Sequence, residues 1–221
     1  VDVVVGKPRV SYRETVTGTG VGEGHFIRQI GGRPHYAILR VRIEPRAHAP
    51  GRANFEIANA ITTEGLAAEF LRACEAGIND AAQSGVLGGY PVIDWKVTML
   101  SAGWHESESS ELAFENAARA SFYDAMKAAD PVLLEPIMDV EVVTSDEYFG
   151  SIMGDLNARK AVVRNTTLRG ADRLISADVS LSQMFGYVTK LRSLSQGRAT
   201  ATMAPSHYAP VSAADMKALV G

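Results

Sequence analysis

Residues 17–33 read Thr17-Gly18-Thr19-Gly20-Val21-Gly22-Glu23-Gly24-His25-Phe26-Ile27-Arg28-Gln29-Ile30-Gly31-Gly32-Arg33, with six glycines between positions 18 and 32. Such a run either cradles a phosphate or turns the chain. A dinucleotide fingerprint needs G-x-G-x-x-G between a strand and a helix. Counting from Gly18, the third glycine should fall at Glu23; counting from Gly20, it should fall at His25. The next residues, Phe26 to Ile30, read as a strand, so no helix N-terminus is offered to an anion. No G-x-x-x-x-G-K-[ST] run occurs anywhere in the chain. The run is therefore expected to be a flexible connection between two antiparallel strands, its glycines supplying turn conformations and mobility. Gly31 to Pro34 is turn chemistry.

Working outward, Val10 to Val16 reads as a strand with Val10, Tyr12 and Val16 on one face. Leu39, Val41 and Ile43 alternate with Arg40, Arg42 and Glu44, the period of a half-buried strand. Pro45 to Arg52 is a loop, and Phe55 to Ile61 a short strand or irregular segment. A helix comes next, capped by Thr62 or Thr63, striped by Leu66, Phe70, Cys74, Ile78 and Ala81, and ended by Gly85. Ile93, Trp95, Val97 and Met99 mark a strand. A second helix starts near Ser109 with the stripe Phe114, Ala118, Phe122 and Ala125. Beyond it come a strand at Met138–Val142, a helix at Tyr148–Leu156, strands at Val162–Leu168 and Ile175–Leu181, a helix from Met184 to near Gly197, and a last strand at Ala199–Met203. That order is βαββαβ, the split-βαβ pattern of ferredoxin-like folds. The fold class is α+β in two domains, 1–131 and 132–221, with Pro131 to Pro136 as the hinge.

Composition narrows the function. The chain has 221 residues, a net charge of -3 and 46% hydrophobic residues. A protein coating duplex nucleic acid along its length would be clearly basic, because phosphate neutralisation drives such binding; any nucleic-acid contact here must be local. Cys74 is the single cysteine, so no intrachain disulfide can form. No apolar run approaches the roughly 18 residues of a membrane span.

Catalytic motifs fail at required positions. His105-Glu106-Ser107-Glu108-Ser109 begins like H-E-x-x-H, but Ser109 stands where the second histidine is needed. A deaminase would need more cysteines, and G-x-S-x-G is absent. Neither a catalytic residue nor a metal ligand set is assigned. What survives is charge: Arg28, Arg33, Arg40, Arg42, Arg46 and Arg52 against Glu44 alone give residues 25–55 a net +5. A solvated strand face accounts for Arg40 and Arg42. It accounts less well for Gly31-Gly32-Arg33-Pro34-His35-Tyr36, where a guanidinium and two rings share one turn, a combination suited to phosphate and base. Gly103-Trp104-His105-Glu106 repeats the theme.

These blocks resemble a known family. Gly6-Lys7-Pro8-Arg9-Val10-Ser11-Tyr12-Arg13-Glu14-Thr15, Phe26-Ile27-Arg28-Gln29, Gly31-Gly32-Arg33, Gly85 to Asp94, and His105 followed by Ser109-Ser110-Glu111 are similar to domain IV of bacterial elongation factor G. Leu134 to Met138, Gly154 to Arg159, Met184-Phe185-Gly186-Tyr187, Leu191-Arg192-Ser193 and Gln196-Gly197-Arg198 resemble domain V. The resemblance runs nearly end to end. The family usually reads G-G-R-G-Q-Y-G where this chain has Gly31-Gly32-Arg33-Pro34-His35-Tyr36-Ala37, and Tyr where it has Trp104.

The resemblance implies a cytoplasmic ribosomal translocase, a GTPase that moves tRNA and mRNA. It implies that this chain is the C-terminal part, with GTP and magnesium bound by an upstream domain and no cofactor in this segment. The first domain would carry a left-handed βαβ crossover like the second domain of ribosomal protein S five. Its tip would enter the decoding region of the small subunit beside tRNA and mRNA. By motif that tip is Gly32, Arg33, Pro34, His35 and Tyr36 with Trp104 and His105. Arg192, Ser193 and Gln196 of the second, ferredoxin-like domain would touch large-subunit RNA at the factor-binding centre. The ribosome and the N-terminal GTPase domains are the expected partners, and no membrane is involved. A ribosome-recycling paralogue and a ribosomal protection protein share this architecture and stay open. A stand-alone enzyme and a module for an acidic protein are the readings from other classes.

Overall fold

The computed structural model describes residues 10–48, 53–212, 215–216 and 219. Strands β1 (Arg13–Val16), β2 (Gly20–Ile30), β3 (Arg33–Pro45) and β4 (Phe55–Asn59) precede helix α1 (Ala68–Ala81). Then come β5 (Trp95–Gly103), α2 (Glu111–Lys127), β6 (Pro131–Ser145), α3 (Asp146–Ala158), β7 (Val162–Arg169) and β8 (Asp172–Ser180). Helices α4 (Leu181–Met184) and α5 (Tyr187–Leu194) and strand β9 (Thr200–Pro210) complete the order. The chain divides into two compact units, one over Arg13–Leu134 and rejoined at Val211, the other over Glu135–Pro210 with Tyr12. Pro131–Pro136, expected as a hinge, is extended backbone inside β6.

In the first unit a four-stranded sheet has the order β2-β3-β5-β4. Its neighbours are antiparallel except β4 and β5, which are parallel and joined through α1. The period-2 pattern read from the sequence sets the core. Leu39, Val41 and Ile43 from β3 and Trp95, Val97 and Met99 from β5 are buried with Cys74 and Ile78 of α1 and Phe114 and Phe122 of α2. Burying each such side chain contributes about 1.5–3 kcal/mol. β1 pairs antiparallel with the start of β6, Arg13 opposite Leu134 and Val16 opposite Pro131.

The glycine run corrects the sequence reading. Gly20, Gly22 and Gly24 are not a flexible connection; they are the inward face of β2, paired with Ile43, Val41 and Leu39. A Cβ at Gly20 would lie 2.2 Å from the Ala125 carbonyl oxygen, at Gly22 2.1 Å from the Ala125 nitrogen, and at Gly24 1.9 Å from the Ala117 oxygen. The strand lies directly on the α2 backbone, which presents Ala117, Ser121 and Ala125 one turn apart. Glycine at every second position is thus the period of a strand face with its side chains removed.

Two helix limits also differ from expectation. α1 begins at Ala68 after an Ala67 that makes no side-chain cap, and the Thr63 hydroxyl instead donates to the Ala102 carbonyl at 3.2 Å. α1 ends at Ala81, and Gly85 serves another purpose: a Cβ there would fall 2.1 Å from Oε2 of Glu14. Glu14 is fully buried in β1, and its carboxylate accepts from the backbone N–H groups of Leu87, Gly88 and Tyr90 at 2.9–3.1 Å.

In the second unit β6 pairs with β8 from Ile137 onward, β8 with β7, and β9 with β6, giving the order β9-β6-β8-β7. With α3 after the first strand and α5 before the last, this is the expected split-βαβ arrangement. Val140, Val142, Ile175 and Ala177 face Ile152 and Leu156 of α3 and Tyr187 and Leu191 of α5. The single helix expected from Met184 is two. Phe185 is extended and Gly186 left-handed (φ 73°), which breaks the ladder between α4 and α5.

Candidate RNA-contact surface

β2 and β3 meet at a two-residue turn. Ile30 pairs with Arg33, and Gly31 and Gly32 both have positive φ (58° and 78°), the demand of a hairpin turn that matches the strand twist. β5 leaves the sheet at Gly103, opposite Ile38. Residues 26–37 therefore continue as a two-stranded ribbon without a third strand, and residues 27–34 are exposed. Gly32, Arg33 and Pro34 lie at its end; His35 and Tyr36 are half-buried at its base.

The segment 104–110 is bonded to that base. The Tyr36 N–H donates to the Glu108 carbonyl at 2.9 Å, and the Ser109 hydroxyl donates to the Tyr36 carbonyl at 2.8 Å. Ser109 Oγ in turn accepts from the His105 N–H at 2.8 Å. One position further, Ser110 Oγ caps α2 by accepting from the Ala113 N–H and lies 2.8 Å from His35 Nδ1. The His105 ring is exposed, and its Nδ1 accepts from the Ser107 N–H at 3.4 Å. Trp104 is not an exposed stacking plane. It is half-buried, packs against the core, and closes over Gly65, where a Cβ would fall 2.8 Å from Trp104 Cζ2.

The arginines divide by position. Arg42 lies 3.5 Å from Glu44 and Arg46 3.4 Å from Glu56, while Lys96 bridges Glu44 and Glu56. They form a solvated ion-pair net on the sheet, the kind that contributes under about 1 kcal/mol per pair. Arg28, Arg33 and Arg40 are exposed, and Arg28 stands over the Phe26 ring at 5.5 Å. Arg52 lies outside the described residues.

Arg192, Ser193 and Gln196 belong to the other unit. All three are exposed around the end of α5, where Gln196 (φ 52°) and Gly197 (φ 80°) turn the chain and the Gly197 N–H donates to the Arg192 carbonyl at 2.9 Å. The turn hangs on the buried Ser195, whose hydroxyl donates to the Leu191 carbonyl at 2.7 Å and accepts from the Ala199 N–H at 3.1 Å. Ser109, Ser110 and Ser195 are not among the sequence candidates. Neither a serine at a helix end nor the family-like block around Ser109 and Ser110 points to a partner 73 or 75 residues away.

The chain has no seat for a nucleotide in its glycine run, which is committed to the β3 ladder on one side and the α2 backbone on the other. Among the described residues no group of three or more His, Cys, Asp or Glu is placed to hold a metal ion, and no helix is long and apolar enough to cross a membrane. What the surface offers is guanidinium, imidazole and backbone polarity on a projecting hairpin.

Comparison with known proteins agrees with this architecture. The family described as elongation factor G, domain IV matches residues 8–130, and that described as elongation factor G C-terminus matches 132–219. Elongation factor G of Thermotoga maritima is 48% identical over 211 residues, covering 96% of this chain and 30% of the relative. That of Aquifex pyrophilus is 45% identical over 208 residues, covering 94% and 29%. A crystal structure of a Thermus thermophilus protein superposes with a TM-score of 0.85 at 34% identity, over 96% of this chain and 31% of that one. The chain thus spans about 30% of the length of the curated relatives it matches.

Proposed function

The chain belongs to the elongation factor G family, and on that footing we propose that it is the ribosome-contacting part of a cytoplasmic translocase. GTP and magnesium would be bound upstream, in the remaining part of a full-length GTPase. Arg33 and His105 would contact phosphate or ribose next to the tRNA–mRNA duplex in the decoding region. His35 would act from the ribbon base, while Tyr36 and Trp104 brace the two loops. Arg192, Ser193 and Gln196 would meet large-subunit RNA. The contribution to translocation is positional: an occupied site keeps tRNA from slipping back, and no covalent step is asked of these residues.

The observation that carries this reading is the bonding of the 104–110 loop to the base of a bare ribbon, through Tyr36, Glu108 and Ser109. That bonding fixes His105 relative to Arg33 before any RNA arrives, so little ordering cost is left for binding. The test is single-turnover translocation by the full-length factor carrying Arg33→Ala and His105→Ala together. A fall of about tenfold or more, with GTP hydrolysis unchanged, is expected, equivalent to about 1.4 kcal/mol of lost stabilisation. An unchanged translocation rate would overturn the assignment.

A further inference from the structure

Strand register sorts the ribbon by charge. Arg28 pairs with His35 and Ile30 with Arg33, so these four share one face with Phe26 and Ala37. Ile27 pairs with Tyr36 and Gln29 with Pro34 on the reverse face. Every basic side chain between positions 26 and 37 therefore lies on one side, and the segment contains no Asp or Glu. That side continues the helix-facing surface of the sheet, since Ala37 and Leu39 of the same strand are buried there. It runs onto the α2 N-terminus, where His35 meets Ser110. Arg28 is steadied by the Phe26 ring, and neither Arg28 nor Arg33 has a carboxylate partner among the described residues.

We infer that this face, Arg28 with Arg33 and His35, is a phosphodiester-binding surface, and that Arg28 is an RNA-backbone ligand in addition to the turn residues. The reverse face, carrying Ile27, Gln29 and Pro34, takes no phosphate. The inference rests on the RNA-contacting role proposed above and specifies which side of the ribbon performs it. Two guanidiniums on one flat face match successive phosphates on a strand, whereas contacts on both faces would need the ribbon to be enclosed.

The test compares neighbours on opposite faces. Binding of the full-length factor to bacterial ribosomes carrying mRNA and tRNA is measured across roughly 50 to 200 mM salt. Ile30→Glu and Arg28→Ala are expected to weaken binding several-fold and to lower the slope of log affinity against log salt by about 1. Gln29→Glu, which adds the same charge one residue away, is expected to leave the slope unchanged. Circular dichroism checks that each variant keeps its fold. Equal loss from Gln29→Glu and Ile30→Glu, or no loss from Arg28→Ala, overturns the face assignment while leaving RNA contact itself standing. Salt-independent binding of the unmodified factor would instead sink the RNA-contacting role, and the face with it.

Discussion

The Ser109 hydroxyl donates to the Tyr36 carbonyl at 2.8 Å, joining a loop to a strand 73 residues earlier in the chain. The same oxygen accepts from His105 N–H at 2.8 Å, so one side chain sets the distance between the two candidate contact elements. Ser109→Ala removes both bonds and leaves the Tyr36–Glu108 bond in place. It should cost about 1–3 kcal/mol in urea unfolding. The His105 amide should exchange with solvent at least about tenfold faster, a factor that corresponds to about 1.4 kcal/mol of local opening. Unchanged exchange at His105 would mean that Ser109 does not hold the loop.

Close packing of β2 on α2 gives a second expectation. Gly24→Ala would place a methyl 1.9 Å from the Ala117 oxygen and 2.6 Å from the Ser121 nitrogen, atoms that cannot move aside. A loss of about 3 kcal/mol or more is expected from overpacking against backbone. Gly31→Ala is the contrast. Its Cβ meets nothing within 4 Å, and only the left-handed φ of 58° resists it, for about 1–2 kcal/mol. Equal urea midpoints for the two variants would contradict the packing account of the glycine run.

That run marks where sequence stops being legible. Leu39, Val41 and Ile43 announce a strand because their side chains alternate, and the core is built on them as expected. Gly20, Gly22 and Gly24 have the same period, but a face without side chains carries no hydrophobic signal, so its strand reads as a loop. The break at Phe185 and Gly186 is hidden for a related reason. Met184, Val188 and Leu191 read as one helical stripe, whereas in the structure Val188 is exposed and Tyr187 joins Met184 and Leu191 in one core across the break. The parts of the candidate site stand out in the sequence, Arg33, His35 and His105, because unusual residue types cluster near glycine-bearing turns. Its assembly does not, because Ser109 and Ser110 act through contacts with residues far away in the chain. Trp104 reads equally as a ring that stacks and one that braces the loop, because an aromatic in a loop gives no hint of which way it packs.

The buried Glu14 carboxylate predicts a third effect. Glu14→Ala leaves the Leu87 and Gly88 amides without their acceptor and should destabilise the first unit by about 2–5 kcal/mol. Gly85→Ala should do comparable damage by displacing the same carboxylate. Thermal unfolding monitored at Trp95 and Trp104, both in that unit, would report it. A Glu14→Ala variant with an unshifted midpoint would show the carboxylate to be dispensable.

Alkaline pH should weaken both units. Burial, with a smaller push from Glu75, raises the Cys74 thiol from 9.0 to about 12. Burial, then Asp155, raises the Tyr187 phenol from 10.0 to about 12, with Arg159 opposing. In each case the native state holds its proton after the unfolded chain has released it. The stability is therefore intact below about pH 9 and falls as pH rises toward 12, by about 1.4 kcal/mol per unit for each group. A thiol reagent at pH 8 should leave native Cys74 unmodified and react with it in urea. Rapid native labelling would contradict the buried, protonated thiol.

An inert Cys74 permits the most direct test of the RNA-facing ribbon. Gln29→Cys in the full-length factor, with any reactive cysteine upstream changed to serine, gives one accessible thiol on the exposed ribbon, to which an iron chelate can be tethered. Hydroxyl radicals released on a ribosome carrying mRNA and tRNA should cut small-subunit RNA around the decoding region. Cuts confined to large-subunit RNA, or none while the factor is bound, would contradict the placement of the ribbon beside the tRNA–mRNA duplex.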